Sequence, residues 1–488
     1  EHRLADHLGE RPHLATHRVV GMRLARRAAR EHEGGGCKQR RYAHERAGVL
    51  VARGELPVAQ WIGPFGADHF GIGAANGAGL HLEQHFAMRQ RAHAYSDSTV
   101  QYEPPILEAL VAGAYLLVGQ EAFWIARLYN TLFWLVGAWA VFLLVKRMVL
   151  APGPEEPGAS SDAVAWVTAL VSLAYMLVLP FGVQASRSFQ PDPGMVMWLV
   201  LYLYALYRWS ETRKLNDALA SGIFAGMAVL TKAVVAFPVA AVAVALVIYT
   251  HRKKLFPNLL LDKQVWLMSA LMILPTLVYY LARGERASEY FSSWTLALSH
   301  LLLQPTFYLR WLNLVQNLLS WLALVATAVS LLVARPRERV LLIALWVGYV
   351  LYGLFLPYQM YTHSYYHLML VPIVALSIVP VSRAVLERFA FKANKTQQAL
   401  LLVAAVGWMG INMWTALQPA ISQDYRNEPA YWQEISSYLP ADGKLIALTQ
   451  DYGYRLMYYG WRKVVLWPNR GEQNLNALRG SQKEFQSY

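Results

Sequence analysis

The pattern of apolar positions changes near residue 100. From residue 106 onward, apolar residues gather into runs of roughly 20, the length that crosses a bilayer as a helix, separated by short charged loops. Run length and flanking charge predict ten spans, at 123–145, 164–182, 193–209, 218–231, 233–250, 264–282, 313–334, 340–356, 368–382 and 398–417. The 218–250 stretch is too long for one crossing and has Lys232 near its middle, so it is read as two helices joined there. Residues 1–94 show poor periodicity, interrupted by Gly34-Gly35-Gly36 and Gly71-Ile72-Gly73, with no apolar run of membrane-spanning length. Beyond 417 the text turns soluble again. It reads as a helix at 428–438, a strand at 444–449, a helix at 452–459 and a strand at 463–467, compatible with a βαβ fragment holding a parallel pair.

The expected fold is therefore an all-α polytopic membrane protein of about ten transmembrane helices with a small α/β extracytoplasmic C-terminal domain. The expected divisions fall at 1–94, 95–417 and 418–488. Composition agrees. Hydrophobic types make up 56% of the chain and charged types 15%, against roughly 25% charged in soluble domains. A soluble enzyme, a disordered chain and a disulfide scaffold are excluded, the last because Cys37 is the single cysteine.

Charge sets the orientation. The net formal charge of +13 is unevenly placed among the loops. One alternate set carries sixteen Lys and Arg residues, from Lys146 and Arg147 to Lys395; the other carries five: Arg187, Lys232, Arg283, Arg286 and Arg310. Cytoplasmic loops are the Lys/Arg-rich ones, so the Asp192 and Lys232 loops are expected outside. Trp198, Trp209, Tyr279, Tyr280 and Trp311 stand near span ends, as in interfacial aromatic belts.

Residues 1–94 hold ten of the fourteen histidines, yet Lys38 is their one lysine. Two origins are open: an unusual basic arm, or a GC-rich gene read in a shifted frame, which would leave the chain as written inactive. His81-Leu82-Glu83-Gln84-His85 lacks the glutamate placement of a zinc protease. No cofactor or dedicated metal cluster is expected.

Ionisable groups beside membrane segments are functional candidates, because burying one costs about 2.5–3.5 kcal/mol on insertion scales. Glu103 precedes Pro104-Pro105 and is held at the mouth of a short helix, with Asp97 nearby. Asp192 lies between Pro191 and Pro193, in a loop that also carries Arg187. It could equally cap the following helix or pair with Arg187. Lys232 suits a phosphate, or snorkels at a membrane boundary. Tyr361-Thr362-His363-Ser364-Tyr365-Tyr366-His367 offers two imidazoles and three phenols in seven residues.

Taken in order, these segments resemble the GT-C glycosyltransferases of the dolichyl-phosphate-mannose–protein mannosyltransferase-like superfamily, including the bacterial aminoarabinose transferases. The similar segments are Glu103-Pro104-Pro105, Arg127 in the next span, Ser186-Arg187 followed by Asp192, Gly222 to Lys232 ending Leu-Thr-Lys, and His363 to Leu368 followed by Pro372. The resemblance also implies a first helix and an acidic outer loop ahead of residue 97, which are not readable here. It implies an inverting hexosyl- or pentosyltransferase that moves a sugar from a polyprenyl-phosphate donor to a lipid, glycan or protein acceptor outside the cytoplasm. In that reading Glu103, Asp192 and Asp97 are catalytic, while Arg187, Lys232, His363, Tyr366 and His367 bind substrate around one outward cavity. Membrane lipids are the other expected partner, nucleic acid is not, and a multi-span transporter of a small or lipid-linked solute is the alternative.

Overall fold

The structure is a computed structural model describing residues 104–120, 122–150, 160–252, 258–282, 291–388, 395–422, 424–440, 445–448, 453–462, 464–467 and 470–480. The expectations placed on residues 1–94, Asp97 and Glu103 lie outside the described residues.

Each of the ten apolar runs contains helix. Among the described residues, five helices are long and apolar enough to cross a membrane: Phe123–Leu150, Ala233–His251, Lys263–Leu281, Pro336–Phe355 and Ser364–Arg388. Their outward faces carry large apolar side chains, such as Leu132, Leu135, Ile273, Leu277, Val347 and Leu351. So much contiguous apolar exposure is foreign to a monomeric soluble protein and natural against lipid.

Proline and polar residues adjust the expected boundaries. The run at 164–182 forms the helix Asp162–Val178, because Leu179 is held extended ahead of Pro180. Ser161 caps that helix, accepting from the Val164 amide. The run at 313–334 is not one continuous helix. It divides at Ser320, where φ is 74°, into Pro305–Leu319 and Trp321–Val333, bent by 100°. Asn313, Gln316, Asn317 and Ser320 recur at helical spacing, so one face of the first helix is polar. Phe307, Trp311, Val315 and Leu319 form its buried stripe. Trp209 and Trp311 are not interfacial either: both are buried, and the Trp209 indole donates to Gln264 Oε1 at 2.7 Å.

The helix Asp192–Thr212 stands at the centre, packed on Leu215–Thr231, Phe123–Leu150 and Ala236–His251. Trp209, Tyr202 and Tyr207 on it are almost wholly enclosed. Its two ends differ chemically. Around Glu211 gather Arg147 and Arg337. At the same end Arg208 meets Asp217, Arg213 and His251 meet Asp262, and Arg383 meets Glu338. Asp192 is 19 residues away, about 29 Å along the helix at 1.5 Å per residue, close to the hydrocarbon thickness of a bilayer. The residues of the basic loops thus share one end and Asp192 the other.

Leu215–Thr231 returns from the basic end and delivers Lys232 beside Asp192. It lies tight against Lys263–Leu281 because Gly222 and Gly226, one turn apart, present no side chain. A Cβ on Gly226 would stand 2.4 Å from the Leu271 carbonyl oxygen, and one on Gly222 would stand 2.8 Å from Leu271 Cβ. Small residues four apart permit such backbone approach between membrane helices.

In the 418–488 segment, helices Glu428–Ser437, Tyr454–Gly460 and Arg470–Leu478 accompany strands Leu445–Ala447 and Val464–Leu466. The strands pair in parallel, Leu445 opposite Val464. This segment touches the Asp192 end of the bundle twice. Tyr458 and Tyr459 meet Phe123, and Arg479 lies 4.0 Å over the Trp294 ring while Leu475 packs with Leu298 and Leu301.

The glycine contact gives a direct test. Gly226→Ala is expected to cost about 1–3 kcal/mol through overpacking and to lower the melting temperature in detergent. Gly113→Ala, where a Cβ meets nothing within 4 Å, should hold it or raise it slightly, since alanine favours helix over glycine. Equal melting temperatures for the two variants would refute the close-packing account.

Candidate functional site

Two helix ends form the site. Asp192 is the first residue of its helix, behind Pro191 and ahead of Pro193. Its carboxylate does not cap that helix and does not meet Arg187, which is exposed. Both oxygens instead accept from Lys232 Nζ, each at 2.9 Å. The pair is enclosed, with relative side-chain exposures of 1% for Asp192 and 3% for Lys232. Lys232 follows the last residue of Leu215–Thr231, in extended backbone at φ −155° and ψ 109°. The carboxylate thus sits at a positive helix N-terminus and the ammonium at a negative C-terminus, so both macrodipoles favour the charges they hold.

The third wall is the 3-10 turn Ser364–His367. Its Tyr365 and Tyr366 rings lie 5.1 and 4.8 Å from Lys232 Nζ, within cation–π range. His363 packs on both rings, and its Nδ1 is 2.7 Å from Thr362 Oγ1. On the other flank Asn130 fastens the loop before Asp192, donating to the carbonyls of Ser188 and Gln190.

Of the sequence-selected residues, the structure therefore brings together Asp192, Lys232, Tyr366 and His363. Arg187 and Arg127 are exposed. His367 does not line the site. It is fully buried behind it, with Nδ1 against the Tyr349 hydroxyl at 2.7 Å and Nε2 against the Met360 carbonyl at 3.1 Å. Asn130 and Tyr365 were not among the selected residues. The available signal for Asn130 was a lone amide within an apolar run, and for Tyr365 its place between His363 and His367.

A cavity of about 400 Å³ opens at the bend of the Ser320 helix pair. It is almost purely apolar, walled by Tyr308, Trp311, Val315, Trp321, Trp346 and Tyr349. Ring contacts connect this groove to the ion pair: Tyr349 to Tyr352 at 6.3 Å, and Tyr352 to Tyr366 at 6.4 Å.

Residues 163–280 match the family described as Dolichyl-phosphate-mannose-protein mannosyltransferase. That stretch contains both Asp192 and Lys232. No curated protein matches the chain by sequence. Among solved structures, the chain is similar to the crystal structure of ArnT from Cupriavidus metallidurans bound to undecaprenyl phosphate, with a TM-score of 0.50 and 14% identity. The match covers 87% of this chain and 86% of that one. The family match and the shared fold both agree with the resemblance carried by the ordered segments.

A buried ion pair is destabilised far more by losing one partner than by losing both. Lys232→Met alone should cost about 3–5 kcal/mol, because it strands the Asp192 carboxylate in an apolar setting. The double variant Asp192→Leu/Lys232→Met should recover most of that loss. Thermal melting of the three proteins in detergent measures it. A double variant no more stable than the single one would show that the two charges do not offset each other's burial.

Proposed function

We propose that this chain is a membrane glycosyltransferase that transfers a sugar from a polyprenyl-phosphate donor, with inversion, at its Asp192 end. The observation that carries the reading is the enclosed Asp192–Lys232 pair under the Tyr365 and Tyr366 rings, inside the segment that matches the mannosyltransferase family. The ArnT structure, bound to undecaprenyl phosphate, supports a donor of that class. The apolar groove supplies a wall suited to a hydrocarbon chain.

In this reading, the acceptor hydroxyl attacks the anomeric carbon from the face opposite the phosphate. The new C–O bond forms as the bond from the anomeric carbon to the phosphate oxygen breaks, and the polyprenyl phosphate leaves with the electron pair. Lys232 opposes the charge that grows on the leaving phosphate. A carboxylate takes the acceptor proton, a role that requires hydrogen-bond reach of that hydroxyl. We assign it to Asp192, with Glu103 and Asp97 as the further carboxylates offered by the sequence. Arg187 and His363 stand on the approach.

The same reading extends to topology. We infer about ten crossings, with Asp162–Val178, Asp192–Thr212, Leu215–Thr231, Lys395–Ile421 and the bent pair Pro305–Leu319 and Trp321–Val333, taken as one crossing, added to the long apolar helices, because the basic loops alternate across all of them. The basic end then faces the cytoplasm. The Asp192 end and the small α/β domain of 418–488 lie outside.

The test is transfer from radiolabelled polyprenyl-phosphate sugars by the purified protein in liposomes. Asp192→Asn should lower the rate by about 10²–10⁴-fold, and Lys232→Met should also abolish retention of undecaprenyl phosphate. An Asp192→Asn variant with undiminished transfer removes that residue from the chemistry. Solute movement across the liposome wall without any transfer would favour a transporter instead.

A further inference from the structure

Tyr349 belongs both to the apolar groove and to the support of the ion pair. Its ring walls the groove. Its hydroxyl lies between Trp311 Nε1 and His367 Nδ1, each at 2.7 Å. The far nitrogen of His367 faces the Met360 carbonyl at 3.1 Å.

The directions of these bonds follow from the groups themselves. The Trp311 indole can only donate and the Met360 carbonyl can only accept. Tyr349 therefore accepts from Trp311 and donates to His367 Nδ1, and His367 carries its proton on Nε2. Each member of the chain is satisfied, and each side chain in it is buried. The chain joins the helices Pro305–Leu319, Pro336–Phe355 and Pro357–Thr362 to the turn Ser364–His367. That turn presents Tyr365 and Tyr366 to Lys232.

A second route leaves the same residue. The Tyr349 ring contacts Tyr352, which is stacked with Tyr366 at 23°, 4.8 Å short of Lys232 Nζ. A third observation fixes the far end of the chain. The Trp311 indole is seated on Gly353, where an added Cβ would stand 2.1 Å from the indole Cη2.

We propose that Tyr349 is a positioning residue that couples a hydrocarbon chain in the groove to the placement of the Lys232 ammonium for an anionic headgroup. A chain pressing on Trp311 and Tyr349 settles the hydrogen-bond chain, and the settled turn holds the two tyrosine rings on Lys232. Headgroup and tail then bind cooperatively, and by linkage each raises the affinity for the other equally. The inference rests on the polyprenyl-phosphate reading above.

The experiment separates head from tail. Binding of inorganic phosphate to the full chain in detergent is measured with and without saturating undecaprenol, which has the chain but no phosphate. In the wild type, undecaprenol should raise phosphate affinity by about tenfold, within the usual range of coupling between sites. Tyr349→Phe keeps the groove wall but removes the hydroxyl, and should reduce the enhancement to less than about twofold while each probe alone still binds. Gly353→Ala keeps every polar group yet displaces the Trp311 indole, and should lose the enhancement too. It also decides the matter if Tyr349→Phe does not fold. Enhancement that persists in the folded variants overturns the proposal. A wild type that binds both probes without enhancement overturns it and leaves the donor reading standing. A wild type that binds neither probe ends both.

Discussion

Much of this molecule depends on one buried contact, the two-pronged pairing of Asp192 with Lys232. Neither charge could stay in so enclosed a place alone, since an ionised group without a partner in such surroundings carries a penalty of several kcal/mol. The fold meets that constraint three times over. It supplies the counter-ion, with both carboxylate oxygens at 2.9 Å. It sets each charge at the helix terminus of opposite sign. It then covers the ammonium with two π faces.

Those requirements explain the architecture around the pair. Asp192–Thr212 and Leu215–Thr231 must be antiparallel neighbours of nearly equal length for the second to return to the start of the first. The glycines of the second helix allow a third to pack closely behind it. Asn130 holds the loop before Asp192 from one side. From the other, the buried chain through Trp311, Tyr349 and His367 holds the aromatic turn. The opposite end is wired differently, with arginines sharing carboxylates in the Glu211, Asp262 and Glu338 clusters. One end of the bundle is an interlocked charge network. At the other, among the described residues, Asp192 and Lys232 form a covered pair under two tyrosine rings, which sets an ammonium where a phosphate-bearing ligand would meet it.

The resemblance found in the sequence and the similarity found in three dimensions concern overlapping parts of the chain. The family match at residues 163–280 spans the two helices that make the ion pair. The similarity to ArnT extends over 87% of the chain at 14% identity. Fold persists at such identity because a bilayer constrains helix length and apolarity far more than residue identity. The polar groups at helix ends are held to their chemistry by burial.

The sequence by itself determined the helical, membrane-type architecture, the break at Lys232 and the separation of basic loops from the Asp192 loop. These are properties of run length, proline and charge, and each acts within a few residues. It also marked Asp192, Lys232, His363 and Tyr366, since polar residues beside apolar runs stand out without any contact being known. The bend at Ser320 was not read, because run length alone made 313–334 a single span. What only the tertiary structure decided is who meets whom. Lys232, rather than Arg187 beside it in the loop, satisfies Asp192, because antiparallel packing brings a residue 40 positions away to 2.9 Å. His367, four residues from His363, faces inward to Tyr349 and Met360 while His363 stays with the tyrosine rings. Spacing along a chain cannot separate two histidines of one motif into wall and scaffold; the direction of a short helical turn, and the partners packed on each side of it, do.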